Sequence, residues 1–217
     1  MPTFYNDASA VPLEKGRPLL IVDADEVLLR FVDGFDKFLA RRGFYFDFVS
    51  YQLHGNVRRR EDRAVVPEED VTRLLDAFRD VFDSLSAVEG AVDAVAELSP
   101  LLDIVALSNM TPSQVPARLR NFEMLELALP LMINSGPKGP AVKALAARAG
   151  RPVFFVDDIP RHLASAGNEA PEVFRIHLIG DERLRPFAPP CPQAHLCAGT
   201  WSDVIAFIRG QLAVGDR

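Results

Sequence analysis

The chain has 217 residues, with 24 lysines and arginines against 30 aspartates and glutamates, giving a formal net charge of −6 at pH 7. That balance argues against a binder of nucleic-acid polymer, which is normally basic, and no apolar run approaches the length of a membrane span. With 48% hydrophobic residues the chain can bury a sizeable core, its two cysteines make no disulfide framework, and a cytoplasmic location is expected.

Residues 1–17 lack the apolar centre of a signal peptide and carry Asp7 and Glu14, so they read as an N-terminal arm. Leu19-Leu20-Ile21-Val22 then runs into Asp23-Ala24-Asp25. An unbroken apolar run of this kind reads as a strand buried on both faces, as in parallel sheets. Ligands bind outside the carboxyl ends of such strands, so two acids stand where a site is expected.

The interval from Leu28 to Leu102 is far too long for a simple crossover and predicts an insertion over residues 31–88. It contains a helix over Phe31–Arg42, with Phe31, Phe35, Phe38 and Leu39 on one face. A second helix over Glu68–Leu85 carries the stripe Val71, Leu74, Leu75, Phe78, Phe82 and Leu85. Between them lie Tyr51, His54 and a basic run, Arg58-Arg59-Arg60 with Arg63, partly offset by Glu61 and Asp62. That run is either a solvated loop or a source of an arginine, Arg58 for example, for an anionic group of a substrate.

Glu89-Gly90 breaks the pattern before a helix over Ala91–Leu98. Asp103–Leu107 delivers Ser108-Asn109, and Thr111-Pro112-Ser113-Gln114 has the composition of a helix start. Leu129–Ile133 leads through a Gly/Pro loop to Lys138, just before a helix opened by Gly139-Pro140. Lys143, five residues on, competes with Lys138 but falls within that helix, where a solvated lysine is the default. Val153–Val156 delivers Asp157-Asp158. Phe174–Ile179 alternates, which predicts an edge strand with Arg175 and His177 on an exposed face, and a last helix covers Ser202–Leu212. Cys191, His195 and Cys197 match no closed zinc spacing. The fold class is therefore α/β, with a three-layer, Rossmann-like parallel sheet as its core.

Asp-x-Asp after one strand, Ser after the next, Lys at a helix start and paired acids after a fourth strand resemble the haloacid dehalogenase-like (HAD) hydrolase superfamily. The resemblance spans about Pro18 to Arg209 and implies a core domain of residues 18–30 and 89–217. It also implies a small helical cap domain, residues 31–88, inserted after the first motif. Glu26 stands where the superfamily usually has Gly, as in some deoxyribonucleotidase-like members.

The resemblance implies Asp23 as a nucleophile that forms an aspartyl-phosphate and Asp25 as the general acid and base. Ser108, Asn109 and Lys138 would bind the phosphoryl group. Mg²⁺ would be held by Asp23, the main-chain carbonyl of Asp25 and Asp157, with Asp158 as a ligand or an orienting group. Dehalogenases of the superfamily lack the second acid, so Asp25 favours phosphate chemistry. Phosphonate cleavage needs a lysine in the cap, where only Lys37 is present. The expected function is a Mg²⁺-dependent phosphomonoesterase acting on a small phosphorylated metabolite. A 5′-nucleotidase-like enzyme or a phosphomutase are the alternatives, followed by a non-catalytic binder of a phosphorylated ligand.

Overall fold

A computed structural model describes residues 2–79 and 82–215. In chain order the elements are β1 (Phe4–Tyr5), β2 (Leu19–Val22), α1 (Phe31–Ala40), β3 (Phe44–Phe46), β4 (Val57–Arg59), α2 (Glu68–Arg79) and α3 (Ala91–Leu98). They continue with β5 (Asp103–Asn109), α4 (Val115–Met124), β6 (Leu131–Asn134), α5 (Gly139–Ala146) and β7 (Val153–Asp157). The chain closes with α6 (Pro160–Glu169), β8 (Phe174–Leu178), β9 (Leu196–Ala198) and α7 (Trp201–Gly215).

Among these residues, seven strands form one sheet in the order β1-β6-β5-β2-β7-β8-β9. Every neighbouring pair runs parallel. The apolar strand runs alternate between two cores. Leu20, Val22, Ala106, Phe154 and Val156 pack on the side of α3, α4 and α7, through Ala94, Phe122 and Trp201. Leu19, Ile21, Val105, Leu107 and Phe155 pack on the side of α5 and α6, through Val142, Leu145 and Leu163. Helices on both faces of a parallel sheet make the three-layer α/β architecture. Close approach fixes the pairing of α5 with α6: a Cβ on Gly139 would lie 2.3 Å from the Ser165 carbonyl oxygen.

The N-terminal arm adds β1 to the edge of β6, in register Phe4↔Leu131. Ala8 and Val11 are buried beneath it, and the Arg148 guanidinium donates to the carbonyls of both. Residues 31–88 hold α1 and α2 and also an antiparallel pair, β3 with β4, that the helical reading of this stretch did not include. The second helix is described over Glu68–Arg79, and a short 3₁₀ turn covers Phe82–Ser84, so the helix does not run on to Leu85 as the apolar spacing led us to expect. The side chain of Phe82, placed in the apolar stripe, lies outside the described residues. Phe31, Phe35 and Phe38 surround Phe78 with ring centroids 5.2–5.4 Å away, and this cluster is continuous with the core on the α3, α4 and α7 side.

The strand at Phe174 is not an edge. β9 pairs with it, and Arg175 and His177 are buried. The Arg175 guanidinium donates to the carbonyls of Pro171, Val173 and Gln193, so backbone oxygens take the place of water around the charge. No helix among the described residues is long and apolar enough to cross a membrane.

Candidate active site

β2 lies between β5 and β7, and from it the sheet grows in opposite directions to β1 and to β9. The crevice outside its carboxyl end is thus the switch point at which such sheets bind ligands. Asp23 follows β2 directly. Its N–H continues the ladder by donating to the Val156 carbonyl at 2.9 Å, and its Oδ1 accepts from the Ala24 N–H at 2.7 Å.

β5 carries Ser108, 1% exposed, to the same edge, and β7 brings Asp157 there with no exposed surface. Lys138, the residue before α5, places its Nζ 2.6 Å from Asp23 and 2.8 Å from Asp157. Lys143 instead lies outside, paired with Glu169 at 3.2 Å. Burial opposes the charge on Lys138, but the two carboxylates outweigh it and hold the ammonium above its ordinary range.

Asp23, Asp157 and Asp158 can each offer an oxygen such that all three lie within 4.8 Å of one another. It is the one such group of three or more potential ligands among the described residues. Burial, with the charges of Asp157 and Asp25, pushes the Asp23 carboxyl up to about 6 against the pull of Lys138. Burial and the carboxylates of Asp157 and Asp23 push Asp158 up as well. One ammonium cannot balance three buried carboxylates, so the donor set fits a hard, oxygen-seeking cation such as Mg²⁺.

The other expected residues are placed as follows. Asn109 lines the cavity, and its amide donates to the Gly136 carbonyl at 2.9 Å while its oxygen accepts from Asn134 at 2.7 Å. It thereby shapes the turn that delivers Lys138. Asp25 lies beyond the end of β2 and accepts from Arg118 of α4 at 2.6 Å. Arg58 is not brought to the site: it lies on β4, ion-paired with Asp47, and does not line the cavity. Arg79 of α2 and Arg161 of α6 do line it. The cavity, of about 320 Å³, is walled by Asp23, Ser108 and Lys138 on one side and by Phe31, Tyr51 and Leu53 of residues 31–88 on the other.

Four neighbouring groups had no role at the site in the sequence reading. Arg118 is fully buried in α4, three residues after Val115 and four before Phe122, both buried. A charge on that apolar stripe was the available signal. Tyr51 donates from the β3–β4 loop to Asp158, its hydroxyl 2.7 Å from Oδ2 and 2.9 Å from the main-chain oxygen. No pattern in a loop announces such a contact. His177 Nε2 donates to the same Asp158 carbonyl at 2.8 Å. Glu26, at φ 59°, accepts from the N–H groups of Val32 at 2.7 Å and Asp181 at 3.0 Å, tying the start of α1 to the loop after β8. Burial lifts its carboxyl to about 7 despite those donors.

No protein-family model matches the chain, and no curated protein does. Solved structures do match. A protein described as a haloacid dehalogenase-like hydrolase, from Burkholderia xenovorans LB400, is 15% identical with a TM-score of 0.60, over 90% of this chain and 98% of that one. YfnB of Bacillus subtilis, described as a HAD-hydrolase and bound to magnesium, is 12% identical with a TM-score of 0.59, over 90% and 99%. A HAD family hydrolase from Deinococcus radiodurans R1, with bound phosphate and sodium, is 18% identical with a TM-score of 0.58, over 92% and 98%. The protein therefore has the fold of the haloacid dehalogenase-like hydrolases, as its strand-end residues led us to expect.

Proposed function

We propose that the protein is a Mg²⁺-dependent phosphomonoesterase that works through an aspartyl-phosphate on Asp23 and acts on a small phosphorylated metabolite. The observation that carries this reading is the buried Asp23 carboxylate at the end of the central strand, 2.6 Å from Lys138 and grouped with Asp157 and Asp158. The phosphate and the magnesium bound by the two structurally similar proteins agree with it.

An Asp23 oxygen attacks the phosphorus, and the bond to the leaving oxygen breaks as Asp25 delivers a proton to it. Water then attacks the phosphorus and gives its proton to Asp25, and the phosphorus–Asp23 bond breaks to release phosphate. Lys138 and the Ser108 hydroxyl offset the charge that develops on the phosphoryl oxygens, each such donor being worth about 3–4 kcal/mol in a closed site. Bound Mg²⁺ would supply further positive charge, held by Asp23, Asp157, Asp158 and the carbonyl of Asp25.

Residues 31–88 serve as the cap over the core of 18–30 and 89–217, because Phe31, Tyr51 and Leu53 close one wall of the cavity. Beyond the phosphate, the substrate runs past Asn109, Arg161 and His162, which also line an adjoining cavity of about 870 Å³. The test is phosphate release from a panel of phosphomonoesters with Mg²⁺, beside Asp23→Asn and an EDTA control. Release that both controls abolish supports the reading. Release that survives in Asp23→Asn overturns it, and phosphate transferred to a second sugar hydroxyl in place of water identifies a mutase.

A further inference from the structure

Asp158 is held from two directions. His177 on β8 donates to its main-chain oxygen, and Tyr51 lies 2.7 Å from its carboxylate and 2.9 Å from that same main-chain oxygen. Tyr51 comes from residues 31–88, 107 positions away in the chain. Its loop is itself braced. Asn56, 1% exposed, donates to the Ser50 carbonyl at 2.8 Å and accepts from the Ser50 hydroxyl at 3.0 Å, and its own carbonyl accepts from the Asp47 N–H at 2.6 Å. The hydroxyl therefore reaches Asp158 from a fixed platform.

We propose that Tyr51 is a positioning residue for the cation site: by occupying one oxygen of Asp158, it turns the other toward the space shared with Asp23 and Asp157. The proposal rests on the reading of those three carboxylates as a cation site. Groups that orient a metal-ligating carboxylate are commonly worth tenfold to a hundredfold in metal affinity. The consequence is a coupling across the chain. Metal affinity depends on the seating of the β3–β4 loop, and a bound cation in turn steadies that loop over the cavity.

The experiment is calorimetric titration of the full chain with MgCl₂ alone, for wild type, Tyr51→Phe and Tyr45→Phe. Phe keeps the ring and removes only the hydroxyl, and Tyr45, on β3, is the control. We expect Tyr51→Phe to bind Mg²⁺ at least tenfold more weakly and Tyr45→Phe to match wild type. Equal affinity in wild type and Tyr51→Phe overturns the proposal and leaves the phosphatase reading intact. No uptake by wild type overturns both. A second readout needs no Tyr51 variant: the tyrosine near-ultraviolet difference spectrum of wild type and of Tyr45→Phe as Mg²⁺ is added. A change that saturates with binding in both proteins supports the role of Tyr51, and a flat spectrum through saturation overturns it.

Discussion

Arg118, with no exposed side-chain surface, donates at 2.6 Å to Asp25, whose side chain is 30% exposed. The two are 93 residues apart, so α4 reaches under the loop after β2 and pins the carboxylate at the lip of the cavity. If Asp25 carries protons to and from the leaving group, its position is set by this contact. Arg118→Met should lower kcat about tenfold or more, with a larger loss on an alkyl phosphate than on p-nitrophenyl phosphate, whose leaving group needs little protonation. Equal losses on the two esters would count against the role.

On the proposed mechanism, Asp23→Asn should reduce turnover on the order of 10⁴-fold or more while leaving the fold intact, because the amide keeps the shape and cannot serve as the proposed nucleophile. Single-turnover assays on the best ester found in the panel, with circular dichroism beside them, check both halves.

Lys138 balances two buried carboxylates, and removing one partner of a buried pair leaves charge without compensation. Lys138→Met should cost about 3–5 kcal/mol of stability in EDTA, read from urea unfolding. Added Mg²⁺ should recover part of that loss, since a cation held by Asp23, Asp157 and Asp158 would supply positive charge to both of those carboxylates.

Glu26 gives a pH signature. Its carboxyl is raised to about 7 in the folded protein against an ordinary 4.5, so the folded state holds the proton more tightly than the unfolded state. Its contribution is fully present below about pH 4.5 and is lost as pH rises to about 7, a change of up to about 3 kcal/mol. In Glu26→Gln that slope is absent, whatever constant offset the lost acceptor introduces. Urea unfolding of both proteins from pH 4.5 to 8 in EDTA measures the difference, which should open through that window and then level off.

The parallel core was legible because its strands are short apolar runs that stop at polar residues: Val22 at Asp23, Leu107 at Ser108, Val156 at Asp157. Local pattern suffices when a strand is buried on both faces. It fails for β1, β3, β4 and β9, which have two or three residues each and too few positions to show a period. Missing β9 is what made Arg175 and His177 look exposed. The apolar spacing of α2 runs on to Leu85 although Phe82–Ser84 form a 3₁₀ turn, since spacing reports burial and not the hydrogen-bond pattern of the backbone. Asp23, Ser108, Lys138 and Asp157 could be named because they share one edge of one sheet. Arg118 and Tyr51 could not, because each reaches Asp25 or Asp158 through a contact about a hundred residues long in sequence.

β1 is only two residues, yet it covers the outer side of β6. Without it, Leu131 and Met132 would offer unpaired backbone groups to any extended chain nearby, the usual route to edge-to-edge aggregation. Deleting residues 1–10 should therefore increase self-association with rising concentration relative to the full chain, which light scattering would detect. Two residues of the N-terminal arm thus close the outer side of β6.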